Sequence, residues 1–170
     1  DKQTILQADR VILPGVGAFG DAMEKIRRYH LESVLKEVVQ NGTPFLGICL
    51  GLQLLFDSSE ETPNAKGLGI LKGKIVHIPD AKLKVPQIGW NSLHFPKNGR
   101  LFEGISENAF VYFVHSYYLQ AEEDIVTATT EYGIEIHASV EKGNVFACQF
   151  HPEKSSKVGL RMLENFIRVN

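Results

Sequence analysis

The pentapeptide Gly47-Ile48-Cys49-Leu50-Gly51 restricts this chain more than any other stretch of it. An apolar run, Pro44–Ile48, leads into it, and a second, Leu50–Phe56, leads out. Such a sequence predicts a buried strand, a very tight turn and a buried helix, with cysteine at the point of the turn. The flanking glycines have a steric purpose, because side chains there would strike neighbouring backbone. The turn lifts the thiol above a sheet and aims a helix N-terminus at it, which favours the thiolate. Taken alone, the pattern serves equally well for a core cysteine between two structural glycines, since free cysteine is commonly a small buried hydrophobe.

The surrounding sequence extends the same grammar. Val11–Leu13 stops at Pro14-Gly15, as a buried strand entering a loop does. From Asp21 to Gln40 the apolar positions Met23, Ile26, Leu31, Val34, Leu35, Val38 and Val39 recur at helical spacing, and Asn41-Gly42 supplies a stop. Repetition of strand, turn and helix predicts an α/β protein with a parallel sheet. Further on, Gly73–Pro79, Pro86–Phe95, Ala109–Gln120, Ile125–Glu131 and Ile134–Phe150 are rich in Val, Ile, Phe, Tyr and Thr, and read as strands and hairpins. Glu141–Asn144 reads as a hairpin turn. Ser155 or Ser156 is placed to cap a last helix with a core stripe of Val158, Met162, Leu163, Phe166 and Ile167. No internal repeat, low-complexity tract or linker divides the chain.

A length of 170 residues with 44% hydrophobic composition suffices for one domain with a real core. A formal net charge of -2, without a long basic run, argues against general nucleic-acid binding. No apolar run approaches the roughly 18 residues that a membrane helix needs. Cys49 and Cys148 lie in unlike contexts and form no CxxC pair. Neither a disulfide framework nor a metal site is expected, and a reducing cytoplasm fits.

A catalytic cysteine needs a base, and Gln149-Phe150-His151-Pro152-Glu153 offers one. His151 and Glu153 share a face in an extended segment, and Pro152 keeps the segment extended. Glu153 is then placed to orient one imidazole nitrogen while the other faces Cys49. A lone HPE is more often a solvated loop, so the cysteine and histidine motifs support each other only as a pair. A third segment, Pro14-Gly15-Val16-Gly17, follows the first predicted strand. Attack on an amide creates an oxyanion that backbone N–H donors must hold. Leu50 would supply one donor, and Gly17 or Val16 the other. PGVG by itself is equally a plain strand-to-helix turn, and no GK[ST] follows to make it a Walker loop.

With these three segments in place, the chain resembles the class I, or triad, glutamine amidotransferases from about Ala8 to its C-terminus. Within that class it is most similar to the glutaminase subunits of imidazole glycerol phosphate synthases, through Pro14–Phe19, Pro86–Asn91 and Tyr112–Tyr117. The resemblance implies a class I amidotransferase fold with a mixed, mostly parallel central sheet flanked by helices. It implies that Cys49 attacks the glutamine carboxamide, that His151 relays protons, and that Glu153 orients His151. Gln53, Ser116 and Tyr117 match positions that hold glutamine. Trp90, Asn91, Tyr112 and Lys154 match positions that face a partner, a (β/α)8-barrel cyclase forming a heterodimer, to which ammonia passes. No cofactor is implied. Without the resemblance, Trp90 and Tyr112 would read as core aromatics. Family members begin with an additional strand and helix, so the single domain at 1–170 is expected to be incomplete at its N-terminal side, with an open sheet edge. Alternatives are a glutaminase serving anthranilate or pyridoxal phosphate synthesis, a γ-glutamyl hydrolase or cysteine peptidase of similar architecture, and a non-catalytic subunit.

Overall fold

In the computed structural model, which describes residues 1–80 and 83–170, three neighbouring parallel strands organise the molecule. They are β1 (Val11–Leu13), β2 (Phe45–Ile48) and β10 (Val145–Cys148), with β2 in the middle. Their register aligns Leu13 with Gly47, and Ile48 with Cys148, so the segments that follow emerge along one edge. Sites in such sheets form beyond the carboxyl ends of the strands.

The remaining α-helices and strands, in chain order, are α1 (Lys2–Leu6), α2 (Phe19–Arg28), α3 (Glu32–Gln40), α4 (Leu50–Leu54), β3 (Ser58–Ser59), β4 (Gly73–His77), β5 (Gln87–Ser92), β6 (Phe110–His115), β7 (Tyr117–Ala121), β8 (Val126–Glu131), β9 (Glu135–Lys142) and α5 (Ser156–Ile167). Single 3-10 turns occupy Arg100–Phe102 and Pro152–Lys154, the second where an extended run was expected, because proline suits the first position of a helical turn. The main sheet runs β1-β2-β10-β9-β7-β4-β3, with β8 also on β9. It is mixed rather than mostly parallel, because β10–β9, β9–β7, β9–β8 and β7–β4 are all antiparallel. The reason is connectivity. Tight hairpins join β8 to β9 and β9 to β10, and a hairpin can only reverse the chain. Strands β5 and β6 form a separate antiparallel pair.

Alternate residues of the central strands feed two cores, as a pleat with a side-chain period of two requires. Phe45, Val145 and Ala147 pack with Phe19, Met23, Leu52 and Leu55 of the helical side. Leu46, Ile48, Phe146 and Cys148 pack with Phe113, Phe150, Met162 and Phe166, beneath β6 and α5. The stripe expected on α5 holds for Met162 and Phe166, with Val158 and Leu163 partly buried, but Ile167 points to solvent.

The single helix expected over Asp21–Gln40 is two. Helix α2 ends at Arg28 with Tyr29 as its C-cap, His30 takes a φ of 55°, and α3 begins at Glu32. His30 N–H donates to the Arg27 carbonyl and Leu31 N–H to the Ile26 carbonyl, the paired bonds of a left-handed helix stop. The same pair recurs at the end of α3, where Gly42 N–H meets the Val39 carbonyl and Thr43 N–H that of Val38. The run expected at Ala109–Gln120 also divides, at Ser116 between β6 and β7.

Candidate active site

Cys49 sits between β2 and α4 with φ 55° and ψ -112°, a backbone state that non-glycine residues rarely hold. Close packing enforces it. A Cβ on Gly47 would come 2.7 Å from the Gly51 carbonyl oxygen, and one on Gly51 would come 1.8 Å from that of Leu13. Glycine at both positions lets α4 press back against β1 and β2. The Cys49 N–H donates to the Cys148 carbonyl at 2.8 Å, fixing the turn to β10.

His151 follows β10 by three residues and is 4% exposed. Its Nδ1 lies 2.5 Å from Glu153 Oε1, and its buried Nε2 has no hydrogen-bond partner among the described residues. The segment is tied down on both sides. His151 N–H donates to the Tyr112 carbonyl at 3.0 Å. Ser155 stands at the N-cap of α5, as one of the two serines expected there, but its side chain makes no capping bond: its Oγ donates to the His151 carbonyl at 2.6 Å and accepts from Tyr112 N–H at 3.0 Å. Gly159 allows α5 to sit on this turn, since a Cβ there would fall 1.8 Å from the Pro152 carbonyl oxygen.

Cys49 and His151 line one cavity of about 530 Å³ together with Val16, Gly17, Leu50, Gln53, Ser116 and Tyr117. Every residue expected from the sequence to act on glutamine is therefore at this cavity except Glu153, which stands behind His151. Three wall residues, Glu61, Val114 and His115, were not expected. Glu61 Oε1 accepts from Phe19 N–H at the start of α2. Its place depends on the loop around β3, which no local sequence pattern announces.

Burial pushes the Cys49 thiol above its ordinary value. The Leu50 N–H, the Lys154 charge and a Gln149 hydrogen bond act in the opposite direction, while Glu153 adds to the rise. Fully buried Cys148 is pushed well up for the same reason and packs in the core. His115 is held down to about 4 by burial, so it is neutral. Its Nδ1 lies 2.8 Å from the Tyr117 carbonyl, which can only accept, so Nδ1 carries the proton. The Gln87 carboxamide, 2.7 Å from Nε2, then turns its NH2 to that lone pair.

The Leu50 N–H donates to the Gly15 carbonyl at 3.3 Å. Gly17 has a φ of 97°, and Val16 is 82% exposed. The glycine-rich loop thus lies over the elbow with a carbonyl, not a second donor, turned to Leu50.

On the outer face of the β5–β6 pair, Trp90 and Tyr112 are register partners packed edge-on with ring centroids 6.2 Å apart. They are not core aromatics: Trp90 is 52% exposed and Tyr112 half-buried. Exposed Ile88 and Phe110 extend the same face. Asn91 points the other way, donating to the Glu131 carbonyl at 2.7 Å. Lys154 is exposed one residue past Glu153.

The family described as glutamine amidotransferase class-I matches residues 1–169. The chain is 48% identical over 169 residues to imidazole glycerol phosphate synthase subunit HisH of Methanocaldococcus jannaschii, covering 99% of this chain and 85% of that one. It is 52% identical over 167 residues to the subunit of the same name from Moorella thermoacetica, covering 98% and 79%. Among solved structures, a glutamine amidotransferase aligns at a TM-score of 0.73 and 22% identity, over 98% of this chain and 83% of that one. The glutaminase domain of Trypanosoma brucei CTPS, with bound acivicin, aligns at 0.69 and 14% identity, over 99% and 75%.

Proposed function

We propose, for a chain that belongs to the class I glutamine amidotransferase family, hydrolysis of L-glutamine to glutamate and ammonia as the glutaminase subunit of an imidazole glycerol phosphate synthase. The observation that carries the chemistry is the shared cavity of Cys49 and His151, with His151 Nε2 unpartnered and Nδ1 held by Glu153.

Cys49 gives its proton to His151 Nε2 and its sulfur attacks the side-chain carbonyl carbon of glutamine. The oxyanion lies against Leu50 N–H. That donor must first leave the Gly15 carbonyl, so the loop turns and presents the Val16 or Gly17 N–H as the second donor. His151 passes its proton to the departing nitrogen, ammonia leaves, and a glutamyl thioester remains. Water, deprotonated by His151, cleaves the thioester and returns the thiol. Glu153 fixes the tautomer and steadies the imidazolium.

Gln53 has both N–H groups engaged, at the Tyr117 carbonyl and at Gln149 Oε1, so it offers only an acceptor to a ligand. That suits the α-ammonium of glutamine, with Glu61 supplying the countercharge, while Ser116 and Tyr117 lie at the same wall. The ammonia passes to a (β/α)8-barrel cyclase seated on the Trp90–Tyr112 face beside Lys154. There it converts the ribotide PRFAR to imidazole glycerol phosphate and AICAR. Neither site needs a cofactor from this chain.

Cys49→Ala tests the assignment. The variant releases no ammonia from glutamine, yet its complex with the cyclase still makes imidazole glycerol phosphate from added ammonium salt. Glutamine hydrolysis surviving in this variant would overturn the role of Cys49.

A further inference from the structure

The elbow sulfur has a neighbour that the triad does not account for. Gln149, on the path from β10 to His151, is fully buried, and its Nε2 lies 3.8 Å from Cys49 Sγ. Its orientation is fixed by groups that cannot be reversed. The Tyr117 carbonyl only accepts, so Gln53 must turn its NH2 to it, at 3.1 Å. The same Gln53 NH2 reaches Gln149 at 3.0 Å, so Gln149 must present its oxygen there. One arrangement remains for Gln149, with its own NH2 toward the sulfur. His115 Nδ1–H occupies the other side of the Tyr117 carbonyl and locks the start of the chain.

We infer that Gln149 is a further catalytic group of this reaction: its carboxamide N–H donates to the Cys49 sulfur and stabilises the thiolate that attacks. The inference rests on the reading of Cys49 as nucleophile. A neutral thiol is a poor acceptor, and 3.8 Å is a loose contact. Once the proton leaves, the bond becomes charge-assisted, and such bonds are shorter and stronger. The donor therefore favours the attacking state over the resting one, as catalysis requires. The Val114 carbonyl, 4.0 Å from the sulfur, can receive the thiol proton but offers the thiolate nothing. The titratable groups around Cys49 are Glu61, His115, Cys148, His151, Glu153 and Lys154. Glu153 opposes the thiolate, the Leu50 N–H and Lys154 favour it, and Gln149 adds a neutral donor that does not itself titrate.

Gln149→Leu and Gln149→Met test it. Methionine keeps the length of the side chain and removes the donor without placing a charge beside the sulfur, so it carries the test if leucine is not tolerated. The readout is the pH dependence of Cys49 alkylation by iodoacetamide, with peptide mapping to separate Cys49 from Cys148. The alkylation midpoint should rise by about one pH unit, and the rate at pH 7 should fall about tenfold. Glutamine turnover should fall at least as far, with the Met variant still unfolding in one cooperative transition. An unshifted alkylation profile in a folded variant overturns the role of Gln149. Failure of the parent chain, with its cyclase, to release ammonia would instead strike the glutaminase reading itself.

Discussion

Spacing alone does not single out His151. His30-Leu31-Glu32 repeats the His-x-Glu interval of His151-Pro152-Glu153. In the fold, Glu32 pairs with Arg27 and Lys36, and His30 ends a helix in solvent. What distinguishes His151 is Pro152, which denies the segment an α-helix, and a start at the end of a buried strand beside β2. Cys49, His151, Glu153 and the Pro14–Gly17 loop could be proposed from the sequence because each lies within a few residues of a strand end. Glu61 could not, because the loop around β3 brings it to the cavity from a distant segment, and the roles of His115 and Gln149 could not, because their hydrogen-bond partners, Gln87 for one and Gln53 for the other, lie far away in the chain. His115 also makes a measurable prediction. Its ordinary value of 6.5 is lowered to about 4 in the fold. Between those values the unfolded chain binds a proton that the folded chain refuses. Stability is therefore whole above pH 6.5 and is lost as pH falls toward 4, by on the order of 3 kcal/mol from this residue. Urea titrations at pH 7 and pH 4.5 should show a smaller acid loss in His115→Asn than in the parent. Equal losses would remove His115 from the account.

At the scale of elements, the two helix stops show why one boundary was visible and the other was not. Both close with the same pair of backbone bonds, and both need a left-handed residue. At Gly42 the residue type announces the conformation, so the end of α3 was read from Asn41-Gly42. At His30 the conformation is imposed on a side chain that disfavours it, so the apolar spacing ran straight through and predicted one helix. Packing decides the matter: Met23 and Ile26 of α2 and Val34, Leu35 and Val38 of α3 are all buried, which two shorter helices achieve by changing direction. The strain at His30 is then removable. His30→Gly relieves roughly 1 kcal/mol of left-handed strain, offset in part by the greater freedom of glycine in the unfolded chain. The expected result is a thermal midpoint equal to or slightly above that of the parent. A clear fall would show that the exposed imidazole contributes more than its backbone costs. The same reasoning explains the sheet. Strand positions were legible from composition, but parallel or antiparallel pairing depends on which ends hairpins join.

For the whole molecule, the central question is how a chemistry confined to one cavity reaches a second protein. Strand β6 links them. Its inward residues, Val111, Phe113 and His115, pack toward the core and the cavity, while its outward ones, Phe110, Tyr112 and Val114, alternate onto the exposed pair. Val114 reaches the cavity of Cys49 through its carbonyl, and Tyr112 accepts the His151 N–H through its own. A partner covering Trp90 and Tyr112 would therefore rest on the strand that holds His151 in place. Alternation along β5 separates Trp90, which faces outward, from Asn91, which fastens β5 to β8. The two thus have separable effects. Trp90 is half-exposed and closes no core, so Trp90→Ala should leave the thermal midpoint of the isolated chain nearly unchanged. As a large aromatic anchor it should still cost the complex on the order of 2 kcal/mol, or about thirtyfold in affinity. Asn91→Ala should instead lower stability, by about 1 kcal/mol for the lost bond to the Glu131 carbonyl. Calorimetric titration of each variant with the cyclase, beside its own thermal unfolding, separates the two effects. Undiminished affinity in Trp90→Ala would move the docking face elsewhere on the molecule.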